Sequence, residues 1–384
     1  MSTAFQGDPA STVHPFRSAT GADVLIVIPT LNEADHIADV IAALQRDCRC
    51  TDALIAVSDG GSSDQTTAIV ERIGNTDPRV RMLTTAERLS TSASINRAVE
   101  FYGRGRRWLV RLDAHARYPN DYASQLVEKV IETGASSVVT SMYTIGETCF
   151  QRAAAAAQNS FLGTGGSAHR LLNRGGWVEH GHHALFDLAR FRELGGYDDK
   201  LNFNEDAEFD RRLINSGGRI WLADDLVVTY VPRKNTISLF NQYVKHGRGR
   251  AHTFARHGGR YRIRHFILPS VAPIIILALL APFYWPLAVP ASAWALLCLF
   301  YGIVLGIKHR DLCAAASGYA SMVMQVAWSF GHWREIIAIR ANRLFGLRYR
   351  HRMLCYYCHG GEVHRNELRR RRGRHWEGFS QRRS

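Results

Sequence analysis

At 384 residues and 46% hydrophobic content, the chain has enough length for one large catalytic domain plus an appendage, and enough apolar residues for a real core. The seven cysteines are an odd number and scattered, which speaks against a disulfide framework and fits a reducing compartment. The net charge of +14 is concentrated: from Arg334 to Ser384, 14 arginines face four glutamates. That basic run follows directly on an apolar region, a pattern that meets anionic lipid headgroups rather than nucleic acid.

Taken in order, Met1–Gly21 is polar, contains Pro9 and Pro15 and lacks an apolar core, so it predicts a mobile lead-in and no signal peptide. From Asp23 onward, strand-like and helix-like patterns alternate. VLIVI (Val24–Ile28) predicts a strand, and Ala34–Gln45 a helix with Ile37, Val40, Ile41 and Leu44 on one face. LIAVS (Leu54–Ser58) predicts the next strand, followed by a helix starting at Ser62 or Ser63. Val80–Thr84, a helix over Thr91–Phe101, Trp108–Leu112 and Val138–Thr144 continue the scheme. Such a rhythm predicts a mostly parallel sheet covered by helices on both faces. Beyond it, the reading gives a helix at Glu147–Phe161, a strand at His183–Leu188, a helix at Glu205–Asn215 and two short strands, Arg219–Leu222 and Val227–Val231.

The character then changes. Phe266–Ile307 contains no charged residue and divides into two runs of about the 20 residues that span hydrocarbon. Leu312–Phe330 is a weaker third. Two or three membrane helices are therefore expected over 263–330, after a catalytic domain at 22–255 and before a basic tail at 331–384. A buried helical hairpin is the alternative.

Four acidic motifs stand at the ends or starts of these elements: VLIVIPTLNE (Val24–Glu33), VSDGGSSDQT (Val57–Thr66), RLDAH (Arg111–His115) and NEDAEFDRRL (Asn204–Leu213). An open α/β sheet binds ligands at the carboxyl ends of its strands, so their carboxylates are expected to converge on one cleft. Asp59 is suited to accept hydrogen bonds from a nucleobase or ribose, with Asn32 and Glu33 alongside. Asp113 and His115, one residue apart on extended chain, can face one divalent cation and so neutralise a diphosphate. Asp206, in a first helical turn, is suited to be a base, its pKa lowered by the helix dipole. Glu205 is read as a contact to the acceptor or the metal. His180, His182 and His183 suit acceptor or diphosphate contacts, structural roles or metal ligation. Arg248 and Arg250 suit either a phosphate grip or a membrane-surface anchor. No GxGxxG follows the first strand, which counts against a dinucleotide enzyme.

Together these motifs resemble the inverting family 2 glycosyltransferases of the GT-A fold. RLDAHARYP, AAAAQNSFLGTGGSAHR, WVEHGHHALF, NEDAEFD and GRGRA further resemble the succinoglycan-biosynthesis (ExoA) group within that family. The resemblance implies a nucleotide-sugar site at Asn32, Glu33, Asp59, Asn96, Arg111 and Asp113, and a metal, Mg2+ or Mn2+, at Asp113 with His115. Asp206 would be the base, and His182, His183, Glu205, Arg248 and Arg250 would contact the acceptor or diphosphate. It also implies a UDP-hexose donor, a lipid-diphosphate-linked oligosaccharide acceptor and a place at the inner membrane facing the cytoplasm. DAH stands where the family has DxD, and the QxxRW of processive relatives is absent, pointing to addition of a single sugar. A polyprenyl-phosphate monosaccharide synthase and a non-catalytic scaffold are the competing readings.

Overall fold

The computed structural model describes residues 21–47, 50, 52–164, 170, 175–199, 201, 203–258 and 264–344. The expected lead-in before Gly21 and most of the basic tail lie outside these residues. Within them the elements run β1 (Val24–Thr30), α1 (Ile37–Gln45), β2 (Leu54–Asp59), α2 (Thr66–Thr76), β3 (Val80–Leu83), α3 (Thr91–Tyr102) and β4 (Trp108–Arg111). Next come α4 (Tyr122–Thr133), β5 (Ser137–Thr144), α5 (Cys149–Gln158), α6 (Phe161–Thr164), β6 (Gly176–Val178) and β7 (His182–Asp187). The rest are α7 (Leu188–Glu193), α8 (Glu205–Asn215), β8 (Ile220–Tyr230), α9 (Thr236–His257), α10 (Arg264–Ala278), α11 (Val289–His309), α12 (Leu312–Ala315) and α13 (Ser317–Leu344).

One eight-stranded sheet orders them β3-β2-β1-β4-β7-β5-β8-β6. Strands β1 to β4 are mutually parallel, as the apolar runs predict, and β5 pairs parallel with β8. β7 enters between β4 and β5 antiparallel to both. This inversion matters for the site: it brings the amino end of β7, at His182, to the same edge as the carboxyl ends of β4 and β5. Strand order reverses at β1, which has β2 on one side and β4 on the other, and ligands bind at such switch points.

Alternation along β4 divides the core. Trp108 and Val110 face a cluster with α1 and α4, whereas Leu109 faces one with α3, α7 and α8, centred on Phe186, Phe191, Tyr197 and Phe209. Arg111, two residues on from Leu109, points to that second face and is buried there. The neighbouring rings, with centroids 5.0–6.1 Å apart, form a stiff floor for the guanidinium.

Several boundaries differ from expectation, each for a tertiary reason. α2 starts at Thr66 and not at Ser62 or Ser63, because the Ser62, Ser63 and Asp64 side chains bond across to the Asn32–Ala34 loop. The two short strands expected after Arg219 are one, β8; pairing with β5 carries the chain through Asp224 and Asp225, with a register shift at Thr140/Ser141. The alanine-rich helix stops at Gln158 and resumes as α6, and its start is fixed by a Thr148/Gln151 capping box. The cysteines also depart from expectation: Cys149 on α5 and Cys313 on α12, 164 residues apart, form a disulfide. α5 and α12 pack side by side, and sequence spacing carries no trace of that.

The expected two or three membrane helices become, among the described residues, one helical stretch of spanning length and composition, Trp285–His309, with mean hydropathy 2.0. The first apolar run folds as α10, and its apolar part, Phe266–Ala278, is too short to span. Pro269 and Pro273 lie inside it. Gly302 packs so closely on Gly318 that a Cβ on it would stand 2.5 Å from the Gly318 nitrogen, so α11 and α13 cross with backbones in contact. On α13's other side, a Cβ on Gly331 would meet the Val244 oxygen of α9 at 2.2 Å.

Candidate active site

The loops after β1 and β2 build the first half of the site. Asn32, in left-handed backbone at φ 57°, accepts from the Ser63 amide at 2.8 Å and donates its own amide to Ser62 Oγ at 2.8 Å. The Glu33 amide donates to Thr66 Oγ1 at 2.8 Å, and Asp64 accepts from the Ala34 amide. Asp59 is buried, and one of its oxygens accepts from the Gly61 and Ser62 amides, both at 2.9 Å. Gly61 needs φ +97° to make that turn. The two loops are thus sewn together by short polar side chains at the sheet edge, which is a shape suited to a nucleoside.

The second half is ionic. Arg111 donates through Nη2 to Glu205 Oε1 at 3.0 Å and through Nη1 to Asp206 Oδ1. Asp113 Oδ1 stands 3.6 Å from the same guanidinium. Tyr197 Oη donates to Asp206 Oδ1 at 3.0 Å, while His182 Nδ1 meets Asp206 Oδ2 at 2.9 Å. Both Asp206 oxygens, on α8, are therefore held by side chains from β4, β7 and the loop after α7. α8 starts from Asn204, itself left-handed at φ 64° and bonded through its side chain to Thr253 of α9.

Burial alone raises the Asp206 pKa, but the charge of Arg111 and then the hydrogen bond with His182 overcome it and hold Asp206 far below the usual carboxylate range. The sequence alone assigns that lowering to the helix dipole; the partner found here is a guanidinium. Glu205 goes the other way: burial, then the Asp206 charge, raises it. Burial works against the Arg111 charge, yet Asp206 and the other acidic neighbours raise its pKa well above normal. His182 is lowered, by burial first, despite Asp206.

The remaining sequence-derived residues divide. His115 Nδ1 meets Glu33 Oε1 at 3.0 Å, bridging the ends of β4 and β1 at the switch point. Its pKa is raised by that bond first, against burial. Asn96 spends its amide on the Tyr197 carbonyl and Asp199 and accepts from the Tyr197 amide, so it holds the loop that carries Tyr197. Arg248 is engaged by Glu335 of α13 at 3.0 Å, and Arg250 lies 5.6 Å over the Phe254 ring. His183 lies in β7. Sequence reasoning missed Tyr197: nothing in GGYDD marks it as a partner of a carboxylate.

Among the described residues no three ligating side chains gather around one point. Asp113, only partly buried, sits with His115 at the β4 end beside the switch point. This donor set fits a hard cation of the Mg2+ type, which binds through one or two carboxylates with phosphate and water completing its shell. It does not fit a cage made of protein ligands alone.

An α/β sheet with a buried, arginine-held carboxylate pair at its ligand edge, beside a Asp-x-His strand end, defines a nucleotide-sugar-dependent transferase of the GT-A architecture. Residues 25–195 match the model of the family "Glycosyl transferase family 2". The chain is 45% identical over 321 residues, 84% of its length and 97% of the relative's, to the succinoglycan biosynthesis protein ExoA of Rhizobium meliloti. The chain belongs to the family 2 glycosyltransferases, in the ExoA group. A polyprenol monophosphomannose synthase of Mycolicibacterium smegmatis is 27% identical over 144 residues, covering 37% of this chain and 51% of that protein. Among solved structures, the mannosyltransferase PcManGT of Pyrobaculum calidifontis, in complex with GDP-Man and Mn2+, superposes with a TM-score of 0.53 at 17% identity, over 84% of this chain and 91% of that one. That likeness bears on the fold.

Proposed function

We propose that the chain transfers one hexose, glucose from UDP-glucose with inversion to a β linkage, onto a lipid-diphosphate-linked oligosaccharide during assembly of an exopolysaccharide repeat unit. The observation that carries this is the placement of Asp206 on the same sheet edge as Glu33, Asp59 and Asp113, in a chain 45% identical to a succinoglycan biosynthesis protein. Asp59, Asn32 and Glu33 bind the nucleoside. Asp113, with His115 beside it, would hold a divalent cation, which when bound neutralises the charge that collects on the leaving diphosphate. Asp206 takes the proton of the acceptor hydroxyl as the new bond forms. Arg111, Tyr197 and His182 fix its direction and keep it ionised. A carboxylate so strongly paired is a weak base, so acceptor binding has to loosen its hold on Arg111 before the proton moves. Glu205 shares that guanidinium and is placed to receive it.

The apolar surface supports work at a membrane. Phe283 is 89% exposed, Trp285 74% and Ile307 74%, a density of bare apolar side chains that water alone does not tolerate. α11 would cross the inner membrane with the catalytic sheet on the cytoplasmic side. Aromatic Tyr284 and Trp285, just before it in the chain, suit an interface.

The test is sugar transfer by membranes containing the protein, from UDP-glucose, UDP-galactose and UDP-GlcNAc, with and without Mn2+. Metal-dependent label in a lipid-linked oligosaccharide from UDP-glucose supports the reading. The partial match to a polyprenol monophosphomannose synthase favours one second reading, transfer to a bare polyprenyl phosphate. Label in a lipid monosaccharide would select it.

A further inference from the structure

A covalent bond ties the helical layer to the ligand edge of the sheet. α5 starts at Cys149, directly after the Thr148 cap, and is anchored at that edge. Asn159, at its end, bonds both ways with Thr144 at the end of β5, at 2.9 and 2.7 Å. Gln151 donates to the Pro232 carbonyl, just past β8, at 3.0 Å. α12 lies on the other side of the joint, immediately after α11. A Cβ on Gly306 of α11 would stand 2.7 Å from the Ala315 Cβ, so the end of α11 packs closely on α12. The Cys149–Cys313 bond, with Cα atoms 5.1 Å apart, thus joins the end of the apolar helix α11 to the strand ends beside the site.

The surroundings leave this pair open to exchange. Cys149 is exposed and Cys313 half-buried, whereas Cys50 and Cys298, the other cysteines among the described residues, are buried. A disulfide reagent arriving from solvent therefore meets this pair first. Cys149 stands in the first turn of α5, where amides without helical partners favour the thiolate that attacks a disulfide. An ion pair from the same two regions holds the register without the bond. Arg152, one turn on from Cys149, donates through Nε to Asp311 Oδ2 at 2.9 Å and through Nη2 to Oδ1. Asp311 in turn caps α12 by accepting from the Cys313 amide at 2.8 Å. That pair is exposed to solvent, so it aligns the joint but does not lock it. α5 has a separate hold, since its Ala154 and Ala157 pack with Leu239 of α9 and with Ala320 and Met324 of α13. Breaking the bond therefore frees α12 and the end of α11 while α5 stays on the sheet.

We propose that Cys149 and Cys313 are a reversible thiol–disulfide exchange site, closed by a low-molecular-weight disulfide such as oxidised glutathione, whose closure clamps α12 and the end of α11 onto α5. The Cys149 thiolate attacks one sulfur of the reagent, releasing one thiol and leaving a mixed disulfide; the Cys313 thiolate then attacks the Cys149 sulfur and releases the second thiol. The two cysteines give up two electrons and two protons, and the reagent takes them as two thiols. Excess thiol reverses both steps. The structure shows the closed state. Closing a bond across 164 residues of chain restricts how far the joint can open. In a compartment that keeps thiols reduced, closure follows thiol status. Only the placing of this side of the protein in such a compartment rests on the proposed membrane reading; the exchange and the clamp do not.

The experiment equilibrates the full chain in detergent with glutathione buffers running from all thiol to all disulfide. The Cys149–Cys313 peptide is followed by mass spectrometry after alkylation and digestion, and the Asp311–Ala316 amides by hydrogen exchange. Wild type is expected to gain and lose the linked peptide reversibly as the buffer changes, with a cooperative thermal melt in both forms. Reduction should speed exchange over Asp311–Ala316 by about tenfold or more. Cys149→Ser and Cys313→Ser should exchange like reduced wild type in every buffer. A linked peptide that forms in no buffer would show that the thiols do not meet. One that survives excess thiol, or reduced protein that no longer melts cooperatively, would make the bond a fixed structural one. Either result overturns the proposal, as does exchange at Asp311–Ala316 that agrees within about twofold between the two forms. None of these readouts needs a substrate, so failure of sugar transfer removes the transferase reading and leaves this site standing.

Discussion

The two halves of the site are built on different physics. Around Asn32, Asp59 and Asp64, partners lie in neighbouring loops, the bonds are amide-to-hydroxyl or amide-to-carboxylate, and much of the loop surface is exposed. Around Asp206, the partners come from β4 and β7 and the loop carrying Tyr197, one of them 95 residues away in sequence, and the links are ionic and buried. A loop of many modest hydrogen bonds tolerates the loss of one. A buried pair in low dielectric does not, because each charge depends on the other.

Removing Arg111 breaks the second half most severely. Arg111→Met leaves Glu205 and Asp206 buried without a counter-charge and is expected to cost about 3–5 kcal/mol of stability, seen as a lowered thermal melt, with transfer abolished. A variant as stable as wild type would mean that the carboxylates are better solvated than the geometry indicates. Asp206→Asn keeps the shape and removes the charge. Transfer should fall by roughly 10²–10⁴-fold while UDP binding stays near wild type; parallel loss of both would remove it as the base.

On the nucleotide side the effects are smaller. Asp59→Ala frees the Gly61 and Ser62 amides, so KM for the sugar nucleotide should rise about tenfold with kcat little changed. A drop confined to kcat would contradict a binding role. Asp113→Ala should weaken UDP binding by a similar factor only when Mn2+ is present; an unaltered response to Mn2+ would take the cation away from this residue.

The smallest effect lies outside both halves, at Glu335. Its pKa is lowered from 4.5 to about 2, first by His252 and, against burial, by Arg248. A depressed carboxylate contributes fully above its unfolded value, and that contribution is lost as pH falls through the folded one. The link between α9 and α13 should therefore weaken between about pH 4.5 and pH 2, and Glu335→Gln should flatten that part of the melt-versus-pH curve.

The contrast between the halves also explains what could be read without coordinates. Apolar runs closed by Asn32, Asp59 and Asp113 identify parallel strands and their ligand edge, because a strand buried on both faces must be continuously apolar and its polar residues are pushed to its end. α8 is legible to the residue, since its acidic first turn and Leu213 fall at helical spacing. The apolar pattern predicts two or three spans, whereas the fold makes the first a helix too short to span, with Pro269 and Pro273 inside it.

Tertiary structure alone decided the rest. Nothing local directs β7 to run backwards between β4 and β5, yet that inversion brings His182 to Asp206. Nothing local marks Arg111 as the buried partner of two carboxylates, Tyr197 as a hydrogen-bond donor to Asp206, or Cys149 as the mate of Cys313. The sequence by itself determined the strands, their shared edge and the residue types that edge presents, because these follow from periodicity and from where a polar group can stop a buried strand. Which of those charges neutralise one another was left to the packing, because pairing depends on distances that only the closed sheet and its helices define.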